Sequence, residues 1–145
     1  MSEYVVDASV VIKWVVGEPE TVLALALRQH RLSAPDLLVA ECANILWKKV
    51  RRNELTGDQA VFAARLLDRA DIELVPARGL TEAATSLAVA LDHPAYDCLY
   101  LSLSERSGRP LVTADTRLLK KLGTTPAGIY SGRVIDLRTM QVSRP

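Results

Sequence analysis

Short apolar segments typical of β-strands alternate along this chain with longer segments of helical periodicity, and this alternation limits the fold more than any other feature. The strand-like segments are 4–6, 72–77, 110–114 and 133–137. Helices are predicted over 9–16, 19–31, 33–52, 56–70, 81–91, 95–106 and 116–123. Strands that alternate with helices favour right-handed crossovers and a parallel sheet covered on both faces. We therefore predict an α/β fold, a three-layer α/β/α sandwich around a mostly parallel sheet.

The length and composition indicate one globular domain. A chain of 145 residues has no room for two good cores, so we predict a single domain over 1–145. With 49% hydrophobic and 24% charged residues, the composition is that of a folded protein rather than a disordered one. The formal net charge of +1 predicts neither a nucleic-acid partner nor a membrane partner by itself.

The cysteines and the N-terminus favour a cytoplasmic location. Cys42 and Cys98 lack the spacing of a metal site, and a disulfide framework needs more cysteines, so both are predicted to be buried free thiols. Met1-Ser2-Glu3 has no basic signal-peptide region, and no apolar run is long enough to span a bilayer. We expect a cytoplasmic protein that makes no membrane contact.

Two aspartates follow predicted strands. Asp7 ends the first strand and Asp115 ends the "PLVTA" strand, so in one parallel sheet both carboxylates share an edge where α/β proteins bind ligands. Asp7 with Ser9, and Asp115 likewise, can instead cap the helices that follow them. Asp36, after Pro35, is interpreted as a helix cap, and Thr81 can cap the helix predicted over 81–91.

Two more carboxylates lie on predicted helices. Glu41 is in mid-helix and shares a polar stripe with Asn44 and Lys48, which a solvated helix face also explains. Asp97 lies in the first turn of a helix that is apolar nearly all round, where the helix dipole favours a negative charge. Burial of Asp97 requires a partner, and no basic residue lies within the next turn.

Four carboxylates at the ends or inner faces of core elements predict a metal site. Brought together, Asp7, Glu41, Asp97 and Asp115 repel one another, which raises their pKa values unless a cation neutralises them. Mg²⁺ and Mn²⁺ prefer such oxygen ligands. Histidine-rich ligation is excluded because the chain has only two histidines, and His93 is interpreted as a structural residue of a turn. An all-carboxylate site suits phosphoryl-transfer hydrolysis.

The motifs "VVDASVVIKW", "APDLLVAECANILWK", "AYDCLYLSLSERSGRPLVTADTRLLKK" and "VIDL" resemble those of PIN-domain proteins. More narrowly, the chain resembles the VapC toxins of bacterial and archaeal toxin–antitoxin pairs. The resemblance covers essentially the whole chain. By position, the family's acidic quartet corresponds to Asp7, Glu41, Asp97 and Asp115, and its small polar companions to Ser9, Thr113 and Asn44. Some relatives carry a further acid where this chain has Thr116, which bears on the occupancy of a second metal.

The resemblance implies a Mg²⁺- or Mn²⁺-dependent endoribonuclease in which the quartet is catalytic and binds the metal, with Ser9, Asn44 and Thr113 supporting it. It also implies a homodimer that a cognate antitoxin inhibits. Transfer RNA and ribosomal RNA are both plausible substrates, and no residue favours one of them.

Basic residues are candidate RNA contacts. If Lys48, Arg51, Arg52 and Lys120 flank the acidic pocket, they supply salt-sensitive phosphate contacts. Such runs are also ordinary on solvated helix ends. Trp14 and Trp47 are interpreted as core or interface residues, and Trp47, beside the basic cluster, is the better candidate for RNA contact.

Three alternatives stay open at this stage. One is an aspartyl phosphotransferase with Asp7 as the nucleophile, although haloacid-dehalogenase-like phosphatases place a second aspartate where this chain has Ser9. The second is a binding module that has lost activity. Four converging carboxylates argue against it, because an inactive site has no physical reason to keep them. The third is a housekeeping RNA-processing nuclease with the same chemistry, which sequence alone does not separate from a toxin.

Overall fold

The computed structural model describes residues 1–126 and 128–141, and its centre is a five-stranded sheet. The strands are β1 (Glu3–Val6), β2 (Arg31–Pro35), β3 (Glu73–Val75), β4 (Leu111–Thr113) and β5 (Val134–Asp136). They lie in the order β3-β2-β1-β4-β5, and each neighbouring pair is parallel.

Seven α-helices in the described residues flank the sheet. They are α1 (Ala8–Val11), α2 (Thr21–Ala26), α3 (Leu37–Arg51), α4 (Gly57–Asp68), α5 (Thr81–Leu91), α6 (Ala95–Ser107) and α7 (Thr116–Gly123). Helix α6 lies against β1, β2 and β4 and carries α5, while α3 packs on α1 and α4. The predicted three-layer α/β/α sandwich is confirmed, and its sheet is parallel throughout.

The strand order reverses between β1 and β4. From β1 the chain builds outward through β2 and β3, and then crosses to the other side of β1 to form β4 and β5. Val6 of β1 is paired with Val112 of β4, so the carboxyl ends of the two strands lie side by side. Asp7 and Asp115 follow these ends, which confirms the predicted shared edge. Parallel α/β sheets bind ligands where the strand order reverses in this way.

The main core lies between the sheet and its helices. Val5, Val6 and Val112 of the central strands are fully buried, and so are Leu101 of α6 and Leu118 of α7. Cys42 and Cys98 are free thiols within this core, as predicted. No helix in the described part of the chain combines the length and apolar character needed to cross a membrane.

The sequence analysis missed β2. It extended the second helix to Arg31, whereas α2 ends at Ala26, a single 3₁₀ turn follows over Leu27–Gln29, and Arg31 begins the strand. The strand sequence, RLSAP, lacks the β-branched residues that favour strands. Its extended form comes instead from pairing with β1 on one side and β3 on the other, which buries it almost completely.

Two predicted helix caps are wrong. Asp36 caps no backbone amide of α3; within the described residues its Oδ1 accepts instead from the Ala77 N–H at 3.1 Å, which ties β2 to the loop after β3. The N-cap of α5 is Leu80 rather than Thr81, and the Thr81 hydroxyl donates to the Ala77 carbonyl at 3.1 Å. Both polar side chains bind the loop backbone because Ala77 presents an amide and a carbonyl there.

Candidate active site

Asp7 is a carboxylate held inside the core by two hydroxyls. The residue is only 6% exposed, and within the described residues its side chain accepts no capping bond from α1, so the capping alternative fails. The hydroxyls of Ser9 and Thr113 donate to its two carboxylate oxygens. Ser9 Oγ also accepts from the Ala114 N–H at 2.9 Å, across the gap between β1 and β4. These bonds fix the orientation of the Asp7 side chain.

Glu41 is half-buried on α3 and is bound by a buried tyrosine on α6. The Tyr100 hydroxyl donates to Glu41 Oε1 at 2.5 Å, and Tyr100 itself is 1% exposed. Burial and the nearby Glu41 charge raise the pKa of the Tyr100 phenol, so it keeps its proton and acts as a donor. Asn44 is exposed one turn further along α3.

Asp97 has the partner that its burial requires, but in the preceding turn rather than the next one. His93 Nε2 lies 2.6 Å from Asp97 Oδ2 across the start of α6. Burial raises the pKa of Asp97, the His93 hydrogen bond opposes this shift, and the Asp115 charge adds to it. His93 therefore orients a candidate site residue in addition to shaping the turn.

Asp115 caps the helix that follows it, which is one of the two interpretations that the sequence left open. Its Oδ1 accepts from the Arg117 and Leu118 amides at 2.9 and 3.4 Å, so the predicted cap of α7 is confirmed. Its own N–H donates to Thr113 Oγ1 at 3.0 Å. Because Thr113 also donates to Asp7, one hydroxyl at the end of β4 links the two aspartates.

These four carboxylates, the acidic quartet, influence one another electrostatically. Burial raises the pKa of Asp7 from 3.8 to about 7, with the Ser9 and Thr113 hydrogen bonds opposing the shift and the Asp97 and Asp115 charges adding to it. Burial also raises the pKa of Glu41, to which Asp97 and Asp115 again add. Mutual repulsion of this kind requires the four side chains to share one region of the molecule.

The donor set of the quartet fits a hard divalent cation. It consists of carboxylate oxygens, and a cation relieves the repulsion that raises their pKa values. Within the described residues, no three His, Cys, Asp or Glu side chains come close enough together to form a metal-binding group. In the described structure the Glu41 side chain is bound by Tyr100, Asp97 by His93, and Asp115 by the backbone of its own helix.

Two cysteines lie near the quartet, and burial raises the pKa of both, Cys98 beside Asp97 to about 11. Burial raises the pKa of the Cys42 thiol to about 12, and the neighbouring Glu41 charge adds to the shift. A thiol in this state is neither a nucleophile nor a metal ligand at neutral pH. The chemistry of the site therefore depends on the carboxylates.

A groove of about 480 Å³ opens beside Asp97 and Asp115. Its other lining residues are His93, Pro94, Arg117, Lys120, Lys121 and Thr124. Of the predicted RNA contacts, Lys120 is the one that lines this groove. Arg117, whose side chain also lines it, was not singled out from the sequence.

The other predicted contacts lie at the far end of α3. Lys48, Arg51 and Arg52 are exposed, and the Arg51 guanidinium lies over the Trp47 ring at 5.0 Å. Trp47 is 52% exposed, so it is not a core residue, whereas Trp14 is half-buried and donates its indole N–H to the Ala24 carbonyl at 2.7 Å.

Comparison with known proteins identifies the family. The sequence profile of the PIN domain matches residues 4–123, which include all four carboxylates. The chain belongs to the PIN-domain family. This PIN-domain protein is 34% identical over 124 residues to ribonuclease VapC3 of Pyrobaculum aerophilum, an alignment that covers 81% of this chain and 92% of that protein.

Solved structures share the PIN fold. The crystal structure of PAE2754 from Pyrobaculum aerophilum superposes with a TM-score of 0.67 at 26% identity, over 95% of this chain and 91% of that one. The crystal structure of Mycobacterium tuberculosis VapC20, described as a toxin that cleaves the sarcin–ricin loop, gives a TM-score of 0.63 at 17% identity, over 82% and 94% of the two chains. At that identity the second likeness concerns the fold alone.

Sequence reasoning missed two of the side chains that hold the carboxylates, Tyr100 and His93. Tyr100 looked like an ordinary core residue of an apolar helix, and its distance of 59 positions from Glu41 hides the contact. His93 carried a usable signal, because it lies four residues before Asp97 and a buried aspartate requires a donor.

Proposed function

We propose that this PIN-domain protein is a divalent-metal-dependent endoribonuclease. The observation that carries the proposal is the acidic quartet, in which Asp7, Glu41 and Asp97 have raised pKa values because they are buried near other carboxylates. Such a cluster is unfavourable on its own and favourable around a cation. The 34% identity to a ribonuclease over most of both chains supports the choice of RNA as the substrate.

Asp7, Glu41, Asp97 and Asp115 are the residues proposed to hold Mg²⁺ or Mn²⁺. When bound, such an ion lowers the pKa of a water molecule and stabilises the oxygen that leaves from phosphorus. This chain's part is to orient the carboxylates. Ser9 and Thr113 fix Asp7, Tyr100 fixes Glu41, and His93 fixes Asp97. Asn44, exposed beside Glu41, is proposed to support the site from α3.

We further propose that the enzyme is the toxin of a VapBC-type pair. The support is its likeness to ribonuclease VapC3 and the PIN-domain match. The proposal includes a cognate antitoxin, a homodimer, a cytoplasmic location and a transfer or ribosomal RNA substrate, with the chain acting as one domain over 1–145. A small upstream reading frame whose product co-purifies with the chain and inhibits it supports the toxin. Activity without such a partner favours a housekeeping nuclease.

Cleavage of total cellular RNA tests the proposal. The purified, partner-free chain is incubated with Mg²⁺, with Mn²⁺ and with EDTA, beside an Asp97→Asn variant whose folding is checked by circular dichroism. Discrete fragments that require metal and are absent with the variant are the expected result. Equal cleavage by the folded variant contradicts the proposal, and no cleavage by a folded, metal-replete chain favours an inactive binding module.

A further inference from the structure

Three cations of α7 line the groove that opens beside the acidic quartet. They are Arg117, Lys120 and Lys121, here called the α7 row. We propose that the α7 row holds the phosphate backbone of single-stranded RNA next to the phosphate that is cleaved. The inference rests on the proposed nuclease function and adds the path of the substrate across the surface.

Helical spacing puts the α7 row on one face. Lys120 and Lys121 follow Arg117 by three and four residues, so all three side chains project on the same side. Leu118 and Leu122 lie on the opposite side, where Leu118 is fully buried and Leu122 packs against the core. The apolar face thus anchors the helix, and the cations face the groove from a fixed base.

Helix stability does not explain the whole row. Lys120 and Lys121 lie in the last turn of α7, where the helix dipole favours cations. Arg117 lies in the first turn, where the dipole disfavours a cation, yet it shares the groove face with the two lysines. An anionic ligand in the groove accounts for all three positions.

The α7 row is available to bind an anion. Some other cations of the described residues are engaged in ion pairs: Lys49 pairs with Glu18, and Arg109 pairs with Glu3 and Glu73. Among the described residues, no acidic side chain lies within ion-pair distance of the row, although two carboxylates line the same groove.

The size and charge of the groove favour one RNA strand. A volume of about 480 Å³ lies within the range of small-ligand pockets, so the groove accommodates part of one strand rather than the full width of a duplex. The carboxylates repel a phosphate unless a cation lies between them, whereas the row attracts one directly. A strand whose cleaved phosphate lies at the quartet therefore places its neighbouring phosphates on α7.

The salt dependence of RNA binding tests the inference. Binding of a fluorescein-labelled oligouridylate is followed by anisotropy in EDTA, from low to moderate KCl, so that no cleavage occurs. Each phosphate contact contributes about −0.7 to the slope of log K against log salt for a single strand. The Arg117→Gln/Lys120→Gln/Lys121→Gln variant should therefore bind more weakly, with a slope shallower by about 2.

A matched control removes the same charge elsewhere. Arg65, Arg69 and Arg78 are exposed and do not line the groove, so changing these three residues to Gln should leave the slope unchanged. The inference is overturned if the α7 variant keeps the wild-type slope, or if the α7 variant and the control variant become shallower by the same amount. It is likewise overturned if the wild-type chain does not bind the RNA at low salt. It is also overturned if oligoglutamate competes as well as the RNA, since the groove then receives acidic peptides.

Two further arms complete the design. A Lys48→Gln/Arg51→Gln/Arg52→Gln variant tests the other cluster of cations. If its salt slope becomes shallower and that of the α7 variant does not, the RNA follows the end of α3 and the inference is overturned. Parallel cleavage assays separate this inference from the proposed function. If the chain cleaves RNA only with metal but the α7 variant keeps the wild-type salt slope, the RNA contact of the α7 row is contradicted and the nuclease function is not. If the α7 variant has a shallower slope but the wild-type chain cleaves no RNA, the nuclease function is contradicted and the RNA contact is not.

Discussion

At the scale of single residues, the site is defined by the side chains that hold its carboxylates. Asp7 and Asp115 were predicted as site residues from their positions after strands. The structure excludes a helix-capping bond for Asp7 and shows one for Asp115. Tyr100 and His93 were not predicted as partners, because a donor from another helix or the preceding turn is visible only once the elements pack.

Tyr100→Phe should weaken metal binding without disturbing the fold. The change keeps the buried ring and removes the hydroxyl that donates to Glu41. A hydrogen bond to a charged group contributes about 1.5–3 kcal/mol, so we expect Mn²⁺ affinity to fall about tenfold or more. Isothermal calorimetry measures it. Tyr130→Phe is the matched control, because that hydroxyl donates to the Leu101 carbonyl instead. Equal affinities for wild type and Tyr100→Phe contradict the assigned role.

Asp7→Asn should stabilise the metal-free protein at neutral and basic pH. The folded-state pKa of about 7 lies above the ordinary 3.8, so the folded state favours the protonated form. In wild type, the free energy of unfolding is therefore unaffected by Asp7 ionisation below about pH 4. It falls by up to about 4 kcal/mol as the pH rises towards 7, and the neutral Asn avoids this loss. Urea unfolding in EDTA at pH 4 and pH 8 checks this. A variant no more stable than wild type at pH 8 contradicts it.

At the scale of elements, prediction succeeded where periodicity was strong and failed where pairing decides the structure. Helix α3 was predicted from the helical spacing of Leu38, Cys42, Ile45 and Leu46, of which all but the half-buried Ile45 are buried. The strand β2 has no such local signal, and only its two neighbours make it extended. The caps at Asp36 and Thr81 failed because the Ala77 backbone competes for those side chains.

Arg109→Met should destabilise the sheet without affecting the site. The guanidinium contacts Glu3 of β1, Ser33 of β2 and Glu73 of β3, away from the carboxyl ends where the quartet lies. The acidic partners are largely exposed, so we expect a loss of about 1 kcal/mol in the free energy of unfolding. Urea denaturation measures the loss. Reduced RNA cleavage at unchanged stability is the result that contradicts this assignment.

At the scale of the whole molecule, the fold class followed from the alternation of strands and helices, and the shared edge of Asp7 and Asp115 followed from the fold class. The strand order did not follow, because no residue specifies that β1 lies between β2 and β4. The groove likewise depends on how the start of α6 and the helix α7 are brought to the same edge, which the sequence does not encode locally.

Divalent cations should stabilise the folded protein as a whole. A ligand that binds only the folded state raises the free energy of unfolding by about 2.7 kcal/mol at a hundredfold excess over its dissociation constant. We expect Mn²⁺ to raise the melting temperature of wild type and to leave Asp97→Asn nearly unchanged, as measured by differential scanning calorimetry. An equal rise in both proteins assigns the cation to another site.

The most direct test of the account is anomalous diffraction from crystals of the protein soaked in Mn²⁺. We predict an anomalous peak among Asp7, Glu41, Asp97 and Asp115, and its loss in isomorphous crystals of Asp97→Asn. A well-ordered, Mn²⁺-soaked crystal without a peak among these carboxylates contradicts the claim that they form a metal site.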